Sequence, residues 1–269
     1  MPELPEVETV TNSIKNHLIY NCFTDLQINW TKTLHNFSFY DFESQIKNIP
    51  IQNVFRKGKY IIIDFFECIL AVHLRMTGKL YVVNYIEPDK KHISIYMQFN
   101  NKYLIFEDTR KFGRFYLYNN LDYLNQKLGV EPLSIDFSKN WFLKTLKERK
   151  RQIKSFLLDQ SFICGIGNIY ADEALWHAKI NPLSISNKIP TAKINNLHEA
   201  IIKVLKESIK KGGTTIRDYT YNYSYVGNYA LNLKVYSRKG KPCFNCKSII
   251  VKIVVGQRGT HYCPNCQKK

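Results

Sequence analysis

Long apolar runs are missing from this sequence. A membrane-spanning helix needs roughly 18 to 20 consecutive apolar residues, and the best candidate, Tyr60 to Leu74, is broken by Asp64, Glu67 and His73. No membrane span is expected. The first turn is acidic and no apolar stretch follows it, so a secretory leader is not expected and the cytoplasm is the default compartment. Acidic side chains are scarce as well: 22 Asp and Glu stand against 39 Lys and Arg in 269 residues, a formal charge of +17. A field of that size favours a polyanionic partner, nucleic acid above all. A disulfide framework is disfavoured because the seven cysteines are odd in number and Cys22, Cys68 and Cys164 stand alone among apolar neighbours, where they read as buried thiols. What is present, 45% hydrophobic residues, is enough to build true cores in one large or two modest domains.

The pattern of those residues predicts an α+β protein. Val7, Val10, Ile14 and Leu18 recur at helical spacing behind Pro5, so a helix begins almost at the chain start. From about Cys22 to Leu117 the chain turns to short β-branched and aromatic runs (60–66, 69–73, 93–99, 103–106 and 114–118), which predict a sandwich or barrel. The Gly, Pro and Ser of 128–134 precede a return to helical periodicity and mark a linker at 131–138, closing a first domain at 2–130. Helices are expected over 141–147, 152–158 and 169–178, the last two joined across Cys164-Gly-Ile-Gly167. The clearest helix, 191–211, has Thr191 as its cap, Ile194, Leu197, Ile201, Leu205 and Ile209 on one face, and Gly212 as its stop. A Tyr-rich loop from Arg217 to Tyr229 follows, ending a helical domain at 139–225 and leaving 226–269 as a terminal module.

That module carries the strongest motif in the chain. Cys243-Phe-Asn-Cys246 and Cys263-Pro-Asn-Cys266 lie sixteen residues apart, the spacing of a four-thiolate structural zinc site holding one Zn2+. Between them, runs at 249–255 and 260–263 flank Gly256-Gln-Arg-Gly259, a two-stranded ribbon expected to present Arg258 at its tip. From Val226 to Lys269 there are nine Lys or Arg and no Asp or Glu, which suits a cationic finger aimed at phosphate. A redox dithiol, or a zinc ribbon with a partner other than DNA, remains open on spacing alone.

Seven ordered stretches carry a resemblance over essentially the whole chain: Pro2-Glu-Leu-Pro-Glu-Val-Glu-Thr9, Arg56-Lys-Gly-Lys-Tyr60, His73-Leu-Arg-Met-Thr-Gly78, Asp108-Thr-Arg-Lys-Phe-Gly113, Gly165-Ile-Gly-Asn-Ile-Tyr-Ala-Asp-Glu173, Gly212-Gly-Thr-Thr215 and the zinc hairpin. On these the sequence resembles the bacterial formamidopyrimidine-DNA glycosylase family, in its purine-lesion rather than its endonuclease VIII branch, to judge from Leu4 and Val7-Glu-Thr9. The resemblance implies an N-terminal β-sandwich led by a helix, a helix-two-turn-helix domain and a β-hairpin zinc finger. It implies a bacterial, nucleoid-associated monomer acting on damaged double-stranded DNA. It also implies that Met1 is removed and that the imino nitrogen of Pro2 attacks C1′ of an oxidised purine nucleotide. The chemistry is reasonable, since an α-amine has a pKa of about 8 against about 10.4 for lysine, and a useful fraction is unprotonated near neutrality. The positive end of the following helix should disfavour the ammonium further.

By the same resemblance Glu3 is the general acid that protonates the sugar ring oxygen, Glu6 a supporting carboxylate, and Lys59 the lysine that holds phosphate and assists proton transfer. Met76, Arg110 and Phe112 map to the trio that fills the void left by the extruded base. Asn168, at the start of a helix after two glycines, maps to a phosphate contact, with simple helix capping as the alternative. His73, Tyr236 and Arg258 map to backbone-contacting positions, Arg258 within the catalytic set, and Arg217 to a base contact. The tyrosines at 219, 221, 223, 225 and 229 depart from the small polar residues the family suggests in this loop, which bears on lesion choice. A catalytically silent zinc-ribbon DNA-binding protein and a generic RNA binder are the competing readings. RNA is the less suited, because a wedge trio fits bent duplex DNA.

Overall fold

The computed structural model describes residues 1–87, 90–214 and 228–269. Arg217, Tyr219, Tyr221, Tyr223 and Tyr225 therefore lie outside the described residues. The chain divides into two compact units, Met1–Gln126 with Gly212–Asn228, and Lys127–Lys211 with Tyr229–Lys269. The expected linker at 131–138 falls inside the second unit, and the zinc hairpin shares that unit with the helices. Among the described residues, no helix is long and apolar enough to cross a membrane.

In the first unit, α1 (Leu4–Leu18) opens with Pro5 in its first turn, and Leu4, Val7, Val10, Ile14 and Leu18 are all buried. The chain then runs through β1 (Asp25–Ile28), α2 (Phe39–Gln45), β2 (Asn53–Lys57), β3 (Tyr60–Asp64), β4 (Ile69–His73), β5 (Lys79–Val83), β6 (Ile93–Phe99), β7 (Lys102–Glu107), β8 (Arg114–Tyr118) and α3 (Asp122–Lys127). Two antiparallel four-stranded sheets result, ordered β1-β6-β7-β5 and β2-β3-β4-β8. One core joins them: Ile61, Ile63, Leu70, Val72, Phe115 and Leu117 of one sheet pack with Leu80, Ile95, Met97, Leu104 and Phe106 of the other and with the apolar stripe of α1. That is the expected sandwich. The run predicted to Phe66 ends at Asp64 because Phe66 adopts φ 77° in the following turn. Cys68 and Cys164 are buried, as read, whereas Cys22 is only half-buried.

In the second unit come α4 (Lys139–Glu148), α5 (Ile153–Leu157), α6 (Asn168–His177), α7 (Thr191–Lys210) and the hairpin β9 (Val251–Val255) and β10 (Arg258–Tyr262). Gly165, at φ 86°, makes the turn before α6 in a conformation that a residue with a Cβ adopts at a cost. Thr191 is the first residue of α7, not its cap, which is Pro190 without a side-chain bond. Gly256 and Gln257 both have positive φ, 53° and 62°, so the hairpin closes in a two-residue turn of the type I′ kind. Arg258 therefore opens β10, paired with Val255, rather than crowning the tip. Tyr229 is also reassigned, since it is 2% exposed and packs 6.1 Å from the Tyr170 ring.

A buried ion pair binds hairpin to helices. Lys154 of α5 lies 2.6 Å from Asp172 of α6, both side chains with no exposure. Lys154 Nζ also donates to Thr260 Oγ1 at 2.7 Å, and the His261 N–H donates to Asp172 Oδ2 at 2.8 Å. The adjacent Glu173 accepts from the N–H groups of Lys234, Val235 and Tyr236 at 2.8, 2.9 and 2.9 Å. Burial pushes the Glu173 carboxyl above the usual range, against those three donors, which favour the carboxylate.

Candidate active site and DNA-contact residues

The chain start is held by carboxylates. Glu3 is the N-cap of α1 and forms a capping box with Glu6, both only 3% exposed. Glu6 Oε2 accepts from the Glu3 N–H at 2.9 Å, and Glu6 Oε1 accepts from the Thr214 N–H at 2.7 Å. One buried side chain thus clamps the first helical turn to the segment that leads into residue 215. Gly213 makes this approach possible: it sits at φ 84°, and a Cβ there would lie 2.9 Å from Glu6 Oε1. Pro2 is buried while Met1 is half exposed. With Met1 attached the Pro2 nitrogen is an amide, so nucleophilic chemistry at that atom requires Met1 to be gone.

Lys59, 6% exposed, sits with Gly58 in the two-residue turn joining β2 and β3, not on the strand itself. Gly58 at φ 57° supplies the positive φ that such a turn needs at its first position. The turn is braced by Arg56, whose Nε donates to Glu8 Oε2 of α1 at 2.7 Å and whose guanidinium donates to the Gly58 carbonyl at 3.0 Å. The Arg56–Glu8 bridge spans 48 residues of chain, and no local sequence pattern signals it.

On the same sheet His73 is 8% exposed and paired across the strands with Tyr60 and Arg114. Its Nδ1 accepts from the Arg75 N–H at 3.0 Å, so a neutral ring carries its proton on Nε2. The Tyr60 ring meets it edge-on at 4.7 Å, and burial raises the Tyr60 hydroxyl to about 12, which keeps it protonated.

The proposed void-filling trio is exposed where a core reading would bury it. Met76 is 41% and Phe112 48% exposed, and the Arg110 guanidinium stacks 4.9 Å from the Phe112 ring centroid. Both residues stand on turns that leave the sheets, one after β4 and one before β8.

In the second unit, Asn168 is the first residue of α6 with Gly167 as N-cap, so the capping alternative for Asn168 does not hold. Its Nδ2 donates to the Gly259 carbonyl at 2.9 Å, fastening the helix start to the hairpin beside Arg258. A Cβ on Gly256 would strike Ser155 Oγ at 2.5 Å, so the hairpin turn lies directly on α5. Arg258 is exposed on this pinned support. Tyr236 is held by the Glu173 carboxylate through its N–H and meets the His261 ring at 5.2 Å.

The sulfur atoms of Cys243, Cys246, Cys263 and Cys266 all lie within 4.8 Å of one another. Tetrahedral zinc with bonds of about 2.3 Å places sulfurs about 3.8 Å apart, and the 3.9 Å between Cys243 and Cys266 and 3.4 Å between Cys246 and Cys263 fit it. The donor set is a closed structural site of four thiolates for one Zn2+, with no position open for catalysis.

Residues 1–115 match the formamidopyrimidine-DNA glycosylase N-terminal domain, 128–220 its H2TH domain, and 240–269 the zinc finger found in FPG and IleRS. The chain is 44% identical to the formamidopyrimidine-DNA glycosylase of Herpetosiphon aurantiacus, covering 99% of this chain and 100% of that protein. It is 42% identical to that of Protochlamydia amoebophila, with full coverage of both. Among solved structures, wild-type Lactococcus lactis Fpg (MutM) bound to N7-benzyl-Fapy-dG DNA superposes with a TM-score of 0.92 at 36% identity, and MutM with carbocyclic 8-oxo-G DNA with 0.92 at 37%, each covering 100% of both chains.

Proposed function

Since the chain belongs to the formamidopyrimidine-DNA glycosylase family, whose solved members include complexes with lesion-containing DNA, we propose that it excises 8-oxoguanine and formamidopyrimidines from duplex DNA and then cleaves the strand, with Pro2 as nucleophile. The observation that carries this reading is the Glu6 clamp, which holds Glu3 and the chain start at the head of α1 through buried hydrogen bonds. In the mature chain, the Pro2 nitrogen attacks C1′ and the N-glycosidic bond breaks, the base leaving with the proton that Pro2 loses; Glu3 then gives a proton to the ring oxygen as the C1′–O4′ bond breaks, which opens the sugar to an iminium. The resulting iminium acidifies the C2′ proton. Its removal expels the 3′ phosphate, a second elimination expels the 5′ phosphate, and hydrolysis of the iminium frees Pro2. Lys59 holds phosphate and assists these transfers.

Around that chemistry, Met76, Arg110 and Phe112 fill the gap left by the extruded nucleotide. His73, Asn168, Tyr236 and Arg258 contact the DNA backbone, Asn168 also anchors the hairpin, and Arg217 contacts the flipped base. The working division is a catalytic sandwich at 2–130, a linker at 131–138, a helical domain at 139–225 and the finger at 226–269, in a cytoplasmic monomer. The net charge of +17 suits the polyanionic substrate.

Duplexes carrying one 8-oxoguanine opposite cytosine test the reading. Incubation should leave a one-nucleotide gap flanked by phosphates at both ends. Release of base without strand cleavage, or no release from a correctly processed chain, would overturn it.

A further inference from the structure

Met76 is separated from Arg110 and Phe112 by more than thirty residues and by three strands of the other sheet, yet the two turns that carry them are built as one piece. Asp108, with no exposed surface, is the joint. Its Oδ2 accepts from the N–H groups of Phe112 and Gly113 at 2.8 and 2.7 Å, and its Oδ1 from the Arg110 N–H at 3.1 Å. The same Oδ1 accepts from Thr77 Oγ1 at 2.5 Å, and Thr77 follows Met76 directly. Thr77 Oγ1 in turn lies 3.3 Å from the Arg110 N–H. The two turns also share a floor. A Cβ added at either Gly78 or Gly113 would drive into the Phe106 ring, so both chains must pass at glycine distance from it.

A second brace acts from the far side. Lys111, between Arg110 and Phe112, adopts φ 58°, a left-handed conformation that costs a lysine energy unless its surroundings hold it. Its ammonium lies 4.2 Å from the centroid of the Trp30 ring, a cation–π contact that turns Lys111 away from its neighbours on the turn.

We infer that Asp108 is a positioning residue for base extrusion: through Thr77 and the 110–113 turn it couples Met76, Arg110 and Phe112 so that they enter the duplex as a single preformed wedge, with Lys111 on Trp30 as the outer stay. The inference rests on the proposed glycosylase reading. Asp108 touches no substrate; it acts by removing the disorder that three independent side chains would have to lose on insertion.

Two variants test it, read by single-turnover rates on two substrates. One duplex carries 8-oxoguanine, which must be extruded; the other carries a preformed abasic site, where no base remains to be forced out. Asp108→Asn is expected to lower excision about tenfold, and abasic-site cleavage at least fivefold less than that. Thr77→Val cuts the bond between the turns but leaves the 110–113 turn with all its Asp108 bonds, and it should show the same selective loss. It decides the matter if Asp108→Asn misfolds. Equal loss on both substrates by Thr77→Val would make the cluster merely structural and overturn the inference, as would no loss on either. A wild-type chain that fails to process the lesion duplex would instead refute the glycosylase reading, and the two failures are distinguishable.

Discussion

Glu3→Gln is expected to lower release of 8-oxoguanine by about 10²- to 10⁴-fold, the usual worth of a positioned general acid, while cleavage at a preformed abasic site falls much less. The glutamine keeps the size of the side chain and can accept the capping hydrogen bond, so α1 should still form. What it lacks is a proton to give the ring oxygen as the sugar opens. An abasic sugar exists partly as the open-chain aldehyde, in which that oxygen is already a hydroxyl, so attack by Pro2 does not wait for the acid. Single-turnover measurements on the two duplexes separate these steps. A parallel fall on both, or excision within threefold of wild type, would remove Glu3 from the proposed role.

Asp172→Asn should be the most damaging single change to stability in the second unit. Lys154 and Asp172 have no exposed side-chain surface and lie 2.6 Å apart. Neutralising one partner strands a buried ammonium, a loss of about 3–5 kcal/mol. For a protein of this size that is a fall in melting temperature on the order of 10 °C. Adding Lys154→Met should recover most of it, because no unpaired charge then remains, the asparagine oxygen can still accept from the His261 N–H, and Thr260 Oγ1 keeps its bond to the Arg258 carbonyl. Thermal unfolding of the single and double variants tests this. A double variant no more stable than Asp172→Asn alone would show that the pair contributes something other than charge compensation. Since Thr260, Gly259 and Arg258 are consecutive, the same pair governs how firmly Arg258 is presented.

Much of this architecture was legible in the residues. The apolar stripes of α1 and α7 and the β-branched runs of β3, β4, β6 and β8 lie within a residue or two of where periodicity put them, because each buries one continuous face in a core. The strands missed were β1, β2 and β5. Gln27, Asn53, Arg56 and Lys79 interrupt their apolar alternation, and β1 and β5 pair with strands that are not their neighbours in the chain, β6 and β7. Arg258 was misplaced by a single residue because the turn uses Gly256 and Gln257, and a glutamine at positive φ gives no signal.

The site divides along a similar line. Pro2, Glu3, Lys59, Met76, Arg110 and Phe112 were named from motifs. The residues that hold their surroundings were not: Glu8 for the Lys59 turn, Thr214 for Glu6, Asp108 for the exposed trio, Asp172 and Glu173 for Arg258 and Tyr236. Their bonds span up to 208 residues of sequence, as between Thr214 and Glu6, and no local pattern encodes such a pairing. Buried Asp and Glu are nevertheless uncommon unless paired, so the carboxylates inside the motifs 108–113 and 165–173 could have been marked as organisers.

The account turns on the nitrogen of Pro2, and chemical trapping interrogates that atom directly. Borohydride added while the protein processes an 8-oxoguanine duplex should reduce the iminium and leave one covalent protein–DNA adduct, with the cross-link in the peptide that begins at Pro2. Protein that retains Met1 should give no adduct. A cross-link mapped to a lysine such as Lys59, or an equal yield from the Met1-retaining chain, would contradict the account.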